Sequence, residues 1–290
     1  MKTEAAAPVA FLFHEACLEH SNGPGHPERP ERLKAIRDHL RHTGLLAGLL
    51  AITPEPCPIE RIARVHAKAY IESIREACRG GPCRLDPDTG VVPASWQAAL
   101  LSAGAALDAC AAVVSGRARA AFVATRPPGH HAESARAMGF CLFNNVAIAA
   151  RSLQEEHRLA RVLIVDWDVH HGNGTQAIFE TDDTVFYFSA HQFPFYPGTG
   201  ARDEKGSGRG RGFTLNVPLP AGAGDHEYLK VFKGTLRPAI DRFRPDFILI
   251  SAGFDAHRDD PLASMSLTEE GYAGLTRIVR EAAEAHCGGR

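Results

Sequence analysis

The stretch VLIVDWDVHHGNGT, residues 162–175, begins as an apolar run and ends with two aspartates and two histidines close together. Its apolar part is continuous rather than alternating, which is typical of a strand in a parallel sheet that is covered on both faces. Side chains alternate along an extended chain, so Asp166, Asp168 and His170 are expected to project to one side. The stretch therefore predicts a buried strand with a polar cluster at its carboxyl end.

The rest of the chain repeats this pattern of short apolar runs, each followed by a segment of helical length, with loops rich in Gly and Pro between them. The predicted strands are Val9–Phe13, Ala121–Ala124, Val162–Val165, Thr184–Phe188, Phe213–Val217 and Phe247–Ser251. The predicted helices are Glu31–His42, Ile59–Ala77, Ser95–Ser115, Asn144–Glu156, Asp225–Phe243 and Thr268–Ala285. Their alternation predicts an α/β fold, a single domain over residues 1–290 with a central, mostly parallel β-sheet flanked by helices.

The composition excludes some classes of partner. The 32 Lys and Arg residues nearly balance the 34 Asp and Glu residues, so we expect neither nucleic acid nor a membrane surface as a partner. The N-terminus lacks the features of a secretory signal, and we expect no membrane-spanning apolar segment of about 18 residues. The 7 cysteines form no CxxC pair and are expected to be reduced. These features predict a cytoplasmic protein and leave its oligomeric state open.

The polar cluster predicts a metal site. The carboxyl ends of parallel strands meet at one edge of a sheet, and Asp255 follows the last predicted strand as Asp168 and His170 follow the earlier one. Converging carboxylates are costly to bury unless a cation compensates them. A single Asp at a strand end is more often a helix cap, but two such strands favour a three-ligand site with one position open for water, as in catalytic zinc. His171 projects to the other side and is expected to pack beside the site.

A second loop, TRPPGHHAESARAMGF at residues 125–140, presents His130 and His131 after a predicted strand. Adjacent histidines on a loop are most often surface groups, but this loop is expected at the same edge of the sheet as the metal cluster. Together, RPPGHHAESARAMGFCLFNN, VLIVDWDVHHGNGT and ISAGFDAHRDDPL resemble the zinc-dependent histone deacetylase family, nearer to its class II and bacterial deacetylase-like branch. NGPGHPERPERLKAI and LDPDTGVV fit as well, so the resemblance covers almost the whole chain. It implies the three-layer sandwich that deacetylases share with arginases.

The resemblance also implies roles for individual residues. Zinc would be bound by Asp168, His170 and Asp255. His130 would lie against Asp166 and stay largely electrostatic, whereas His131 would be the general base and acid, oriented by Asn173. Many family members have Asp at the position of Asn173. Because Asn carries no charge, His131 should be less basic here. A structural potassium ion would be bound by the backbone carbonyls of Asp166, Asp168, His170 and Ala190 and by the side chains of Asp166 and Ser189.

A narrow substrate channel is implied too. Gly139, Phe140 and Tyr196 match its walls, and Asp86 matches its rim. A linear acyl chain fits between two ring faces, although the two rings taken alone fit a core role better. Leu262 occupies the position where polyamine-selective relatives have a glutamate, and leucine offers no anion to a cationic polyamine. The predicted function is zinc-dependent removal of acetyl or other acyl groups from lysine side chains or similar amines.

The resemblance breaks off at the C-terminus. The family stabilises the reaction's oxyanion with a tyrosine in a Gly-Gly-Tyr loop after one further strand, whereas this sequence ends in HCGGR, and Tyr272 is expected to be non-catalytic. We therefore expect a truncated chain with weak activity. Two alternatives stay open: an amidohydrolase of acetylpolyamines or small acetyl metabolites, and a non-catalytic module that binds metal or acyl-lysine. The tandem histidines and HHGNG argue against a more distant option, a dinuclear manganese ureohydrolase.

Overall fold

The computed structural model describes residues 7–290, and the chain consists of two compact units, Met1–Ser152 and Leu153–Arg290. In each unit parallel strands alternate with helices, so the predicted α/β class is confirmed. The parallel strands fall into a three-stranded and a four-stranded sheet. A single domain over the whole chain stays a prediction.

The first unit contains a parallel sheet and an antiparallel hairpin. Its strands are β1 (Val9–Leu12), β2 (Leu50–Ile52), β3 (Cys83–Arg84), β4 (Gly90–Val91) and β5 (Ala120–Val123). Its helices are α1 (Glu31–His42), α2 (Ile59–Ile62), α3 (Lys68–Arg79) and α4 (Ser95–Val114), and α5 (Asn145–Glu155) runs across the boundary between the units. The sheet has the order β2-β1-β5, and β3 pairs with β4. Small side chains let α4 pack closely on β1, since Ala105 and Ala109 share a buried cluster with Ala10 and Leu12.

Helix α4 corrects one expectation. By length and composition alone it is long and apolar enough to cross a membrane, whereas the sequence was expected to contain no such segment. Of its most apolar window, 67% is buried inside the protein. That burial is what a core helix of a folded domain shows.

The second unit is built on the sheet β8-β7-β6-β9, in which all neighbours are parallel. Its strands are β6 (Val162–Asp166), β7 (Val185–Gln192), β8 (Thr214–Leu219) and β9 (Phe247–Ser251). Its helices are α6 (Asn173–Phe179), α7 (Asp225–Val231), α8 (Arg237–Phe243) and α9 (Glu269–His286), and a π-helical turn, Phe232–Leu236, joins α7 to α8. Every residue of β6 and β7 is buried, as their continuous apolar runs predict.

Several predicted boundaries differ from those observed. The single helix predicted over Ile59–Ala77 is split into α2 and α3, because the chain leaves the helix to bury His66, whose Nε2 accepts a hydrogen bond of 2.9 Å from the backbone N–H of Asn144. Strand β2, the β3-β4 hairpin and helix α6 were not predicted. The strand β6 ends at Asp166, yet Trp167 and Val169 remain in the hydrophobic core while Asp168 and His170 stay partly exposed. The predicted alternation therefore continues beyond the strand.

Candidate metal and catalytic site

The three predicted metal ligands lie together in the second unit. Asp168 and His170 follow β6, and Asp255 follows β9, the parallel neighbour of β6. Their candidate ligand atoms all lie within 4.8 Å of one another. The Nδ1 atom of His170 is 3.0 Å from Asp168 Oδ1 and 3.0 Å from Asp255 Oδ2. Two carboxylates and one imidazole thus converge at the carboxyl edge of the sheet.

Backbone contacts fix the positions of these side chains. Asp255 Oδ1 accepts a hydrogen bond of 2.9 Å from the N–H of Val169, and Asp168 Oδ1 accepts one of 2.8 Å from the N–H of His170. Gly253 lies directly against the site, because a Cβ atom there would be 2.1 Å from Asp168 Oδ2. Only glycine lets the chain after β9 approach so closely. The ligands are therefore held by the strands and turns around them.

The electrostatics of the cluster favour a cation. Burial and the charge of Asp168 raise the pKa of Asp255 to about 6. Burial opposes protonation of His170, but its hydrogen bonds to the two carboxylates outweigh burial and raise its pKa to about 10. The two carboxylates thus favour a positive charge between them. The oxygen and nitrogen donors are of the types that zinc takes in three-ligand sites, so the residues present fit a divalent metal.

In the first unit, the tandem histidines are buried rather than on the surface. His130 and His131 are 8% and 4% exposed, and their ring centroids lie 4.0 Å apart. Gly139 packs on the second ring, because a Cβ atom there would lie 2.2 Å from Cδ2 of His131. The histidine pair is therefore held in a tightly packed environment.

The predicted channel and rim residues of this unit are joined through one turn. Phe140 has a left-handed backbone with φ of 68°, and its N–H donates a hydrogen bond of 3.0 Å to Thr89 Oγ1. Asp86 Oδ1 accepts hydrogen bonds from the N–H groups of Asp88 and Thr89, at 2.9 and 2.6 Å. The His26 ring meets the Phe140 ring edge-on, with centroids 4.5 Å apart. Asp86 thus shapes the turn that supports the backbone of Phe140.

A buried ion pair precedes the histidines in the chain and was missed by the sequence reasoning. Arg126, 1% exposed, binds both carboxylate oxygens of Glu28 and donates to the backbone carbonyls of Cys17 and His20 at 3.1 and 2.9 Å. A buried guanidinium with a bidentate carboxylate partner is well satisfied. The pair fixes the start of the loop that carries the tandem histidines.

In the second unit, two rings lie against the predicted metal ligand His170. Tyr196, which was predicted for the channel, has its ring centroid 6.0 Å from that of His170 and is 37% exposed. Phe195, which was not predicted, stacks on His170 with centroids 5.4 Å apart.

Leu262 is half-buried, and its N–H donates to Asp260 Oδ1 at 2.9 Å. Tyr272 belongs to the hydrophobic core and packs on Phe254.

The residues predicted to bind potassium also lie in the second unit. Asp166 is opposite Ser189 in the β6-β7 register, and both are fully buried, as is Ala190. Tyr187 Oη donates a hydrogen bond of 3.2 Å to Asp166 Oδ2. Asn173, the predicted orienting residue, is buried at the first position of α6. Asp166 and Ser189 are therefore neighbours across two parallel strands, and a potassium ion at this place stays a prediction.

The comparisons with known proteins agree with this architecture. The family model described as the histone deacetylase domain matches residues 26–290. The chain is 43% identical over 285 residues to a protein of Archaeoglobus fulgidus named "Probable deacetylase", an alignment that covers 97% of this chain and 79% of that protein. It is 41% identical over 302 residues to the "Histone deacetylase-like amidohydrolase" of Pseudomonas aeruginosa, with the same shares of 97% and 79%. The crystal structure of the HDA15 HD domain matches with a TM-score of 0.93 and 40% identity, covering 97% of this chain and 82% of that one. The chain therefore belongs to the histone deacetylase family.

Proposed function

We propose that this protein is a zinc-dependent hydrolase that removes acetyl or other acyl groups from lysine side chains or similar amines. The observation that carries the proposal is the convergence of Asp168, His170 and Asp255 within 4.8 Å in a member of the histone deacetylase family. The names of two relatives, a probable deacetylase and a histone deacetylase-like amidohydrolase, support amide hydrolysis as the reaction class.

The chain's residues have distinct parts in the proposed reaction. Zinc, when bound by Asp168, His170 and Asp255, supplies a Lewis acid that polarises the acyl carbonyl and lowers the pKa of water. We assign His131 the proton transfers: it takes a proton from the attacking water and returns one to the leaving amine. Asn173 orients this imidazole without adding charge to it.

We assign the remaining predicted residues supporting parts. His130 with Asp166 contributes electrostatically. A potassium ion is proposed at Asp166, Asp168, His170, Ser189 and Ala190. Gly139, Phe140, Tyr196 and Leu262 are proposed to line the substrate channel, with Asp86 at its rim. The uncharged Leu262 favours acyl-lysine over a cationic acetylpolyamine as substrate. We also propose that the reaction takes place in the cytoplasm.

The ligand assignment is tested by replacing Asp255. Asp255→Ala removes one of three ligands, so we expect it to abolish both zinc binding, measured by elemental analysis, and hydrolysis of an acetyl-lysine peptide. Asp259→Ala is the matched control, because the Asp259 side chain is 77% exposed and its ion-pair contacts with His257 and Arg258 are long, at 3.9 Å each. A folded Asp255→Ala protein with undiminished zinc would show that the ligand assignment is wrong.

The same assay separates the alternatives. Wild-type protein that hydrolyses acetylputrescine faster than the acetyl-lysine peptide would indicate a polyamine or small-metabolite amidohydrolase. Protein that holds one zinc ion yet hydrolyses neither substrate would indicate a non-catalytic binding module.

A further inference from the structure

The loop of residues 193–201, here called the channel loop, carries both rings that lie against His170. Phe195 stacks on the imidazole with an interplanar angle of 20°, and Tyr196 meets it at 80°. The loop turns back on itself after these rings, since the N–H of Gly198 donates to the carbonyl of Phe195 at 2.8 Å. The positions of both rings therefore depend on how the end of the loop is held.

Glu204 holds that end. Its carboxylate accepts hydrogen bonds of 3.0 Å from the backbone N–H groups of both Gly200 and Ala201. It also accepts one of 2.7 Å from Gln176 Nε2 in helix α6. Hydrogen bonds to a charged carboxylate are among the stronger ones in proteins. Glu204 thus ties the channel loop to α6.

The same contacts lead back to the metal motif through His171, the residue after the ligand His170. His171 Nε2 is hydrogen-bonded to Gln176 Oε1 at 2.9 Å, and His171 Nδ1 to Thr199 Oγ1 at 2.8 Å. The backbone at Gly200 is packed so closely that a Cβ atom there would lie 2.6 Å from the His171 ring. A displaced channel loop would therefore lose contact with the segment that bears the metal ligand.

We infer that Glu204 is a positioning residue: it anchors the channel loop so that Phe195 and Tyr196 stay against His170, and it thereby sets the affinity for the linear acyl chain. The inference rests on the proposed function for the nature of the substrate. Glu204 contacts the loop and α6 rather than the metal ligands, so its loss should weaken substrate binding more than the chemical step. Glu204 thus acts through the channel loop, whereas the residues that line the channel would contact the substrate themselves.

The test compares three variants. Glu204→Ala removes the carboxylate that accepts hydrogen bonds from Gly200, Ala201 and Gln176. Glu204→Gln keeps one acceptor oxygen and should give an intermediate result. Asp203→Ala is the matched control, because it removes the same charge one residue earlier, from an exposed side chain. Thermal melting of each variant establishes that the protein is folded.

Two measurements are made on the folded variants. Hydrogen exchange of the peptide covering residues 193–201 should become about 10-fold faster in Glu204→Ala and stay at the wild-type rate in Asp203→Ala. The KM for an acetyl-lysine peptide should rise about 10-fold in Glu204→Ala, while kcat changes less than about 2-fold.

The outcomes separate this inference from the proposed function. Unchanged exchange in Glu204→Ala, or a fall in kcat at constant KM, would overturn the inference. If the wild-type protein hydrolyses no acyl-lysine peptide, the proposed function fails, and the exchange measurement still decides whether Glu204 anchors the loop.

Discussion

Gly253→Ala offers a test of the proposed metal site that leaves all three proposed ligands in place. A Cβ atom at this position would lie 2.1 Å from Asp168 Oδ2 and 2.6 Å from the backbone Cα of Asp168. Favourable contacts between non-bonded heavy atoms lie at about 3.5–4.0 Å. Rotating the Asp168 side chain relieves only the first clash, because the second involves the backbone. The two chain segments must therefore separate by about 1 Å.

That displacement is large for a metal site. Ligand distances in such sites are held to about 0.2 Å. Loss of a group that merely orients a ligand typically lowers metal affinity by about 10–100-fold, which corresponds to about 1.4–2.8 kcal/mol. We expect Gly253→Ala to weaken zinc binding by at least that range, although Asp168, His170 and Asp255 are all still present.

The assay is a zinc titration in competition with a chromophoric chelator. Gly234→Ala is the control, because a Cβ atom at Gly234 would lie within 4 Å of no described atom other than its chain neighbours and the backbone of its own helix. Alanine is also the better helix former, so the control should be at least as stable as the wild type. A folded Gly253→Ala protein with wild-type zinc affinity would refute the reasoning that Asp168 is held against this backbone.

Three further predictions follow from other features. Burial lowers the pKa values of three buried histidines to about 4, namely His20, His66 and His191. In the unfolded protein these histidines take up protons near pH 6.5, whereas in the folded protein they stay neutral down to about pH 4. Their contribution to the free energy of unfolding is therefore complete above pH 6.5 and is lost as the pH falls toward 4. At pH 5 the loss should be about 2 kcal/mol per histidine, and urea denaturation that gives equal stability at pH 7 and pH 5 would contradict it. Glu28→Ala leaves the buried Arg126 without its carboxylate and should cost about 3–5 kcal/mol of unfolding free energy; a thermal melt at the wild-type temperature would contradict this. Leu262→Glu should shift preference from acetyl-lysine peptides toward acetylated polyamines by about 1–3 kcal/mol, and an unchanged ratio of kcat/KM values would remove Leu262 from the specificity argument.

The convergence of Asp168, His170 and Asp255 was predictable because it depends on local patterns. The apolar runs of β6 and β9 are each followed by polar residues, and parallel strands bring their carboxyl ends to one edge of a sheet. The proximity of Asp168, His170 and Asp255 therefore follows from the sequence without knowledge of packing. Helix α6 was not predictable in the same way. It begins among the glycines of HHGNGT, which disfavour a helix, and the N–H of Gly172 is bonded to Tyr187 Oη from the neighbouring strand at 3.1 Å.

Contacts between distant parts of the chain were also missed. Arg126 and Glu28 are 98 positions apart, and no local pattern pairs them. The stacking of Phe195 on His170 depends on how the channel loop folds back, and the close approach of Gly253 depends on the spacing of two strand ends. Such features follow from tertiary packing, which side-chain periodicity does not specify.

The two oxygens of Asp255 have separate tasks, and this division bears on how the protein would take up the proposed zinc ion. Oδ1 is engaged by the N–H of Val169, which leaves Oδ2 facing His170. The backbone N–H of Val169 thus fixes the orientation of the Asp255 carboxylate, in contrast to small zinc domains that fold only around their metal. Metal uptake should therefore order few residues, with a small change in heat capacity, and a lost ion should be replaceable without refolding of the chain.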